Sequence, residues 1–430
     1  MSISELYKIF NSSSGISIDS RSILNGNLFF GINGSNFNGN KFAIEALKKG
    51  AKYSIIDEYQ KEVITNNKLI LIDDVIKCLQ DLANHHRRIL NTKIIAITGS
   101  NGKTTTKELI KTVLQKKYKI CATKENYNNH IGVPLTVLNL SKDTDIGIIE
   151  MGANHKGEIE NLCKIAMPNW GYVTNFGKAH LEGFNSLEGV IEGKSELYNF
   201  LNKNDGEILI NSNDKIQIKK TKNFKKKSFG NAKNCDYVFE SIKTNNEIIT
   251  IKNNNYIYSS SIYGKYNIDN ISSAIAFGKI FKISENLIQE SLESFRLMDN
   301  RSQIIKKEKT IIILDAYNAN PSSMNEALKA FIKNKISKNS CVILGDMLEL
   351  GKYSNIEHKK IISKCLNKDI PYVFLVGEIF AETGMKSSKI LNFKNVNELI
   401  LYFKTNKLKF DKILIKGSRE LTLEKIVDSL

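Results

Sequence analysis

Short apolar runs recur along this chain, and most end in glycine, asparagine or a carboxylate. Ile94-Ile-Ala-Ile97, Ile146-Gly-Ile-Ile149 and Tyr172-Val-Thr174 are apolar enough to predict strands buried on both faces of a parallel sheet. After Lys103 the pattern switches to helical spacing, with Leu109, Val113 and Leu114 on one face. Before this region, Gly26 to Gly31 predicts a short strand, followed by a polar turn from Asn33 to Asn40. Phe42, Ala43, Ala46 and Leu47 then give a helical face ending at Gly50. Ser54 to Asp57 and Leu69 to Ile72 predict strands, and Val75 to Leu90 a helix. Strands near 207–210 and 248–258 read as an antiparallel addition, and a helix is predicted from Asn267 to Phe281. Beyond Arg301, Ile311 to Leu314, Cys341 to Leu344, Val373 to Val376 and Ile413 to Ile415 are buried-strand candidates separated by helical stretches.

The pattern predicts an α/β protein of three domains. A central phosphate-loop-type, mostly parallel sheet (89–302) is flanked by a small N-terminal α/β domain (1–88) and a C-terminal Rossmann-like α/β domain (303–430). The length of 430 residues suits that division. No apolar run reaches the roughly 18 residues of a membrane span, and the N-terminus lacks a basic-then-apolar leader pattern. The expectation is a cytoplasmic chain without membrane insertion. The six cysteines are scattered, with no Cys-x-x-Cys pair, which favours free thiols over disulfides or zinc.

A net charge of +17 raises the question of nucleic acid. The densest basic cluster, Lys215 to Lys227, holds a single aromatic residue, Phe224, and reads as a solvated loop. No nucleic-acid partner is expected.

The chemistry starts at Thr98-Gly-Ser-Asn-Gly-Lys-Thr-Thr105, between a predicted strand and a predicted helix. Gly99 and Gly102 allow a tight turn that brings backbone N–H groups onto an anion, and the helix start adds its dipole. Lys103 can reach phosphate oxygens and Thr104 can ligate Mg²⁺. The standard loop has a glycine where Ile97 stands, so this is a variant. Glu150, His180 and Asp315 each stand at a predicted strand end, where carboxylates and histidines serve metals or water but more often cap or pack. Lys194 falls on a predicted helix, where a solvated lysine is the ordinary reading. Asn320 with Pro321 reads as a helix cap, and Lys416 and Arg419 are two cations in a turn suited to a carboxylate or phosphate.

In order along the chain these segments resemble the Mur ligases of peptidoglycan synthesis, from Asp19-Ser-Arg21 to Lys416-Gly-Ser-Arg419. The matching motifs include Asn126-Tyr-Asn-Asn-His-Ile-Gly-Val-Pro134, Glu150-Met-Gly-Ala-Asn-His155, Ala179-His-Leu-Glu-Gly183 and Lys194-Ser-Glu-Leu197. Further along come Tyr266-Asn-Ile-Asp-Asn270, Tyr317-Asn-Ala-Asn-Pro321 and Gly345-Asp-Met-Leu-Glu-Leu-Gly351. The Glu150 and Tyr317 stretches resemble the branch that adds D-alanyl-D-alanine.

The resemblance implies an ATP-dependent amide ligase acting through an acyl phosphate. Its substrates are the small molecules UDP-N-acetylmuramoyl-tripeptide and D-alanyl-D-alanine; a monomer is expected, though the sequence itself does not encode the oligomeric state. It implies that Gly99, Ser100, Asn101, Gly102, Lys103, Thr104 and Thr105 bind ATP phosphates. Asn267, Asn270, Arg301 and Asp315 sit near the nucleotide. Thr104 and Glu150 hold one Mg²⁺, and Glu150 with His180 a second. Lys194 matches the lysine that the family carbamylates. Ser20 and Arg21 match the uridine end, Asn128 and Asn129 face the substrate, and Asn318, Asn320, Lys416 and Arg419 belong to the domain that closes over the site. Two positions depart: Tyr266 stands where many relatives have histidine, and Ala316 where serine is common. A sibling amide ligase, including a folylpolyglutamate synthase-like protein, is the near alternative, and a nucleic-acid-stimulated ATPase or a non-catalytic nucleotide-binding protein the distant ones.

Overall fold

The computed structural model of the chain describes residues 1–34, 37–242, 248–297, 300–333 and 336–430. Among the described residues the strands form four sheets. The first is parallel and orders Ile16–Ser17, Leu28–Phe30, Tyr53–Ile56 and Leu69–Leu71. Helices Ile3–Asn11 and Val75–Ile89 accompany it, the second capped by Asp74. Part of the polar turn expected from Asn33 to Asn40 lies outside the described residues.

The central sheet has seven parallel strands, in the order Tyr237–Val238, Lys226–Gly230, Glu207–Asn211, Trp170–Val173, Lys93–Thr98, Ile146–Glu150 and Ile120–Ala122. Lys93–Thr98 is flanked by Trp170–Val173 on one side and Ile146–Glu150 on the other. The chain leaves this strand toward one side and later returns on the other, so a crevice opens at its carboxyl end. Its side chains from Ile94 to Ile97 are fully buried, which a two-sided strand requires.

Two expectations fail here. Glu207–Asn211 is not antiparallel: it follows the long helix Leu187–Lys203, and such a crossover returns the chain parallel to Trp170–Val173. Among the described residues, Glu240–Ile242, Ile249–Asn253 and Tyr256–Ser260 form an antiparallel sheet, separate from the central one. Nor is Lys215 to Lys227 a loop throughout. Asp214 caps the helix Lys215–Lys220, the buried Gln217 bonds Tyr198 and the Val173 carbonyl, and Lys226 begins a strand.

The last sheet orders Gln303–Lys307, Thr310–Asp315, Lys412–Lys416, Ser340–Gly345, Tyr372–Val376 and Ile390–Phe393. All neighbours are parallel except the first pair, whose edge strand the apolar pattern does not reveal. Asp315 and Lys416 are register partners at the carboxyl ends of adjacent strands. No helix among the described residues is long and apolar enough to cross a membrane. The six cysteines are free thiols.

Candidate active site

The carboxyl end of Lys93–Thr98 runs into the phosphate loop. Gly99 takes φ +144°, and a Cβ there would overlap Thr174 Oγ1; Gly102 takes φ +77°, and a Cβ would lie 2.7 Å from Asn270 Oδ1. Both positions therefore require glycine. The strand Trp170–Val173 holds the loop from the side. Ser100 N–H donates to the Asn175 carbonyl (3.0 Å), Asn101 N–H to Asn175 Oδ1 (3.1 Å), and Thr174 Oγ1 to the Asn101 carbonyl (2.6 Å). The helix Lys103–Leu114 starts directly after Gly102, so its first N–H groups face the loop without helical acceptors. Lys103 Nζ folds back onto the Gly99 carbonyl at 2.8 Å. Desolvation by the surrounding protein lowers its pKa, while Glu150 and Glu349 act in the opposite sense.

Ser100 to Thr105 open into a cleft of about 1550 Å³. Asn128, Asn129, Glu150, His180, Asn267, Asn270, Arg301, Asp315, Asn318, Asn320, Lys416 and Arg419 line it as well. The structure thus gathers most of the residues that sequence singled out. Gly99 and Lys194 are not lining residues, although Lys194 is near enough to Lys103 to feel its charge. Ser20 and Arg21 do not line the cleft. The Ser20 carbonyl accepts Lys49 Nζ at 3.0 Å, and Arg21 is an exposed partner of Asp19, whose carboxyl it holds down at about 2.

Glu150 is 2% exposed. Its Oε1 accepts Asn128 Nδ2 at 2.8 Å, whereas Oε2 has no partner. Asn128 therefore orients the carboxylate, and Asn129 Oδ1 accepts the N–H groups of Ile131 and Gly132 at 3.1 and 2.9 Å, just where the helix Gly132–Leu138 begins. Lys194 corrects the solvated reading: it is fully buried in Leu187–Lys203, 5.4 Å over the Phe184 ring, with no partner for Nζ. Burial, then the nearby charge of Lys103, drives its pKa well below the ordinary lysine value.

The Glu150 oxygen left without a partner beside a phosphate loop suits a bound cation, whereas Lys194 is compatible with one only when its amine is uncharged. Among the described residues no group of three or more His, Cys, Asp or Glu side chains could hold a metal alone. One buried carboxylate and the Thr104 hydroxyl are a hard-oxygen set that fits Mg²⁺ completed by phosphate oxygens and water.

The C-terminal sheet closes the cleft from above. Asp315 Oδ2 accepts Lys416 Nζ at 2.7 Å, and Lys416 also donates to the Asn318 carbonyl at 2.9 Å. Asn320 accepts Ser323 N–H at 2.9 Å, as its capping role predicts, and reaches across to Asn101 Oδ1 at 2.7 Å. Further cross-links are Lys178 Nζ to Glu357 (2.8 Å), Lys178 N–H to Ser322 Oγ (2.9 Å) and His180 Nδ1 to Glu349 Oε2 (2.5 Å). The last pair is in contact outside strict hydrogen-bond alignment, and His180 holds the Glu349 carboxyl below its usual range. Burial raises the pKa of Glu357, but Lys178 and Lys360 outweigh it and hold the carboxyl below its usual range. Thr174, Asn175, Lys178, Glu349 and Glu357 are site or closure residues that sequence reasoning missed. Glu349 lay within a quoted motif, and Asn175 follows a strand end.

The sequence matches three family profiles in succession: the Mur ligase family catalytic domain over residues 12–87, the Mur ligase middle domain over 97–278, and the Mur ligase glutamate ligase domain over 300–419. The UDP-N-acetylmuramoyl-tripeptide–D-alanyl-D-alanine ligase of Bacillus subtilis (strain 168) is 34% identical over 425 residues, 97% of this chain and 93% of that one. The enzyme of the same name from Buchnera aphidicola subsp. Baizongia pistaciae is 36% identical over 427 residues, 96% of this chain and 92% of that one. A crystal structure of MurF from Acinetobacter baumannii superposes with a TM-score of 0.88 at 25% identity, covering 100% of this chain and 98% of the other. MurF from Thermotoga maritima, crystallised with ADP, shares the fold at a TM-score of 0.85 and 24% identity, over 98% and 97% of the two chains.

Proposed function

The chain belongs to the Mur ligase family, and from that premise we propose that it joins D-alanyl-D-alanine to UDP-N-acetylmuramoyl-tripeptide at the expense of ATP. The reaction belongs to the cytoplasmic stage of peptidoglycan precursor synthesis. One observation carries the reading of the site: the buried Glu150 Oε2, without a hydrogen-bond partner, lines the cleft with the loop, and the buried Lys194 Nζ, also without a hydrogen bond, is near enough to Lys103 to feel its charge. That is the environment the family's metal-supported phosphoryl transfer needs.

A carboxylate and an amine do not condense unaided. The tripeptide's terminal carboxylate oxygen attacks the γ-phosphorus, and ADP leaves. The amine nitrogen then attacks the acyl carbon, phosphate leaves, and the nitrogen loses its proton. Every reactant near the loop is anionic, so Lys103 and the loop N–H groups stabilise charge where it develops. Thr104 and Glu150 would hold Mg²⁺, with His180 beside a second ion; bound Mg²⁺ neutralises phosphate oxygens during transfer. A neutral Lys194 amine can attack CO₂ and lose a proton to give a carbamate, an anion where a cation would be costly. Asn267, Asn270, Arg301 and Asp315 serve the nucleotide. Asn318, Lys416 and Arg419 face the acceptor, and Asn320 ties that side to the loop. A single chain supplies all these residues. Ser20 and Arg21, away from the cleft, are assigned to the uridine end on resemblance alone.

The acceptor distinguishes this reading from a sibling ligase. Incubation with ATP, Mg²⁺ and UDP-N-acetylmuramoyl-tripeptide should yield a product with D-alanyl-D-alanine. It should yield none with meso-diaminopimelate, lysine or glutamate offered instead. Product from one of those amines alone would replace the proposal with the sibling.

A further inference from the structure

Tyr266 is a departure from the family pattern that the reaction as described leaves unused. It sits in the single turn Lys265–Asn267 that leads into the helix Ile268–Ile280. Gly264, at φ +92°, lies so close against the ring that a Cβ there would overlap it. The hydroxyl meets Ser302 Oγ at 2.6 Å. Ser302 belongs to the segment that carries the chain from the central layer to the C-terminal sheet, and it is 6% exposed. Both Asn300 and Ser302 take left-handed backbone there, φ 57° and 48°. Such strain persists only where surroundings enforce it.

The direction of the bonds is fixed by proton counting. Asp315 Oδ1 accepts Ser302 N–H at 3.0 Å and Ser302 Oγ–H at 3.3 Å. A hydroxyl has one proton, so Ser302 Oγ accepts from Tyr266. Asp315 in turn holds Lys416. On the other side of Tyr266, Asn267 Oδ1 accepts Asn270 Nδ2 at 2.8 Å, and Asn270 Oδ1 accepts Thr106 Oγ1 at 3.0 Å, on the phosphate-loop helix. Arg301, one residue before Ser302, lies with its guanidinium carbon 3.5 Å from the centroid of the Tyr317 ring, and its buried Nε has no partner. Two hydrogen-bonded runs, joined by the Tyr266–Asn267 peptide link, thus lead from the loop helix to the C-terminal sheet, and the Tyr266–Ser302 bond is their crossing point.

We propose that Tyr266 is a positioning residue for the nucleotide: its hydrogen bond to Ser302 fixes Arg301 and the Asp315–Lys416 pair relative to Asn267 and Asn270. It touches no reacting atom. Breaking the bond leaves both halves intact but lets their relative placement drift, so the loss falls on nucleotide affinity and not on the chemical step. The inference rests on the nucleotide reading of Asn267, Asn270, Arg301 and Asp315.

The test is calorimetric titration of ADP with Mg²⁺ into the full chain, without other substrates, alongside steady-state kinetics. Tyr266→Phe should weaken ADP binding about 3- to 10-fold, the range for one neutral hydrogen bond, and raise the KM for ATP by a similar factor with kcat little changed. Ser302→Ala should do the same, the double variant should be no weaker than either single one, and Tyr266→His, which restores a donor, should recover part of the loss. If Tyr266→Phe melts early, Ser302→Ala and Tyr266→His carry the test. Wild-type affinity in Tyr266→Phe and Ser302→Ala, or losses that add in the double variant, would overturn the proposal. Failure of the unaltered chain to bind ADP would overturn the nucleotide reading beneath it.

Discussion

His180 Nδ1 and Glu349 Oε2 lie 2.5 Å apart across the cleft, and both residues have left-handed backbone, φ 52° and 59°. One follows a strand of the central sheet, and the other follows Ser340–Gly345 of the C-terminal sheet. The contact sets a carboxylate against Nδ1 of the imidazole, and both residues line the cleft. Carboxylates in that position orient metal-binding histidines, and removing them typically costs 10- to 100-fold in metal affinity or activity.

Glu349→Gln keeps the shape and removes the charge. The expected outcome is a loss of about tenfold in kcat/KM together with a higher Mg²⁺ requirement. A Mg²⁺ titration of the rate checks it; an unchanged Mg²⁺ dependence would detach Glu349 from His180's role.

Lys194 gives a prediction about stability and its pH dependence. Burial depresses the folded-state pKa below the ordinary lysine value. Between those two values the unfolded chain binds a proton that the folded chain does not, so this group makes stability rise with pH through that window and level off above it. Lys194→Met removes the buried amine. In CO₂-depleted buffer at neutral pH it should stabilise the fold by about 1–3 kcal/mol and flatten that slope, while ligation is abolished. Denaturant melts across pH, paired with the activity assay, check both halves.

Asn320 serves two partners with two ends of one amide. Its Oδ1 caps the helix Pro321–Lys333 and its Nδ2 binds Asn101 of the phosphate loop. Asn320→Asp keeps an acceptor for the cap and loses the donor. It should retain wild-type stability to within about 0.5 kcal/mol, whereas Asn320→Ala should lose about 1 kcal/mol. Both should raise the KM for ATP several-fold. Thermal melts and kinetics on the pair separate cap from cross-link.

The phosphate loop and the strand ends bearing Glu150 and Asp315 were legible because each depends on a local switch from apolar run to polar turn. The cap at Asn320 was legible for the same reason. Read from its own segment, Lys194 passes for a solvated lysine although a signal existed: Val190, Lys194, Leu197 and Leu201 recur on one helical face, so the lysine belongs to the buried stripe. Its charge outweighed its position in the pattern. The direction of Glu207–Asn211 was missed because pairing direction is a property of the crossover helix before it, not of the strand's own residues. The cross-links at Lys178, Glu349 and Glu357 join positions far apart in sequence, and no local pattern encodes them.

The central claim is that this site couples ATP cleavage to one particular amide bond, and ADP release measures that most directly. With ATP and Mg²⁺ present, ADP should accumulate only when both UDP-N-acetylmuramoyl-tripeptide and D-alanyl-D-alanine are supplied, and Lys103→Ala should abolish it. ADP released at the full rate without D-alanyl-D-alanine, or undiminished in Lys103→Ala, would contradict the account.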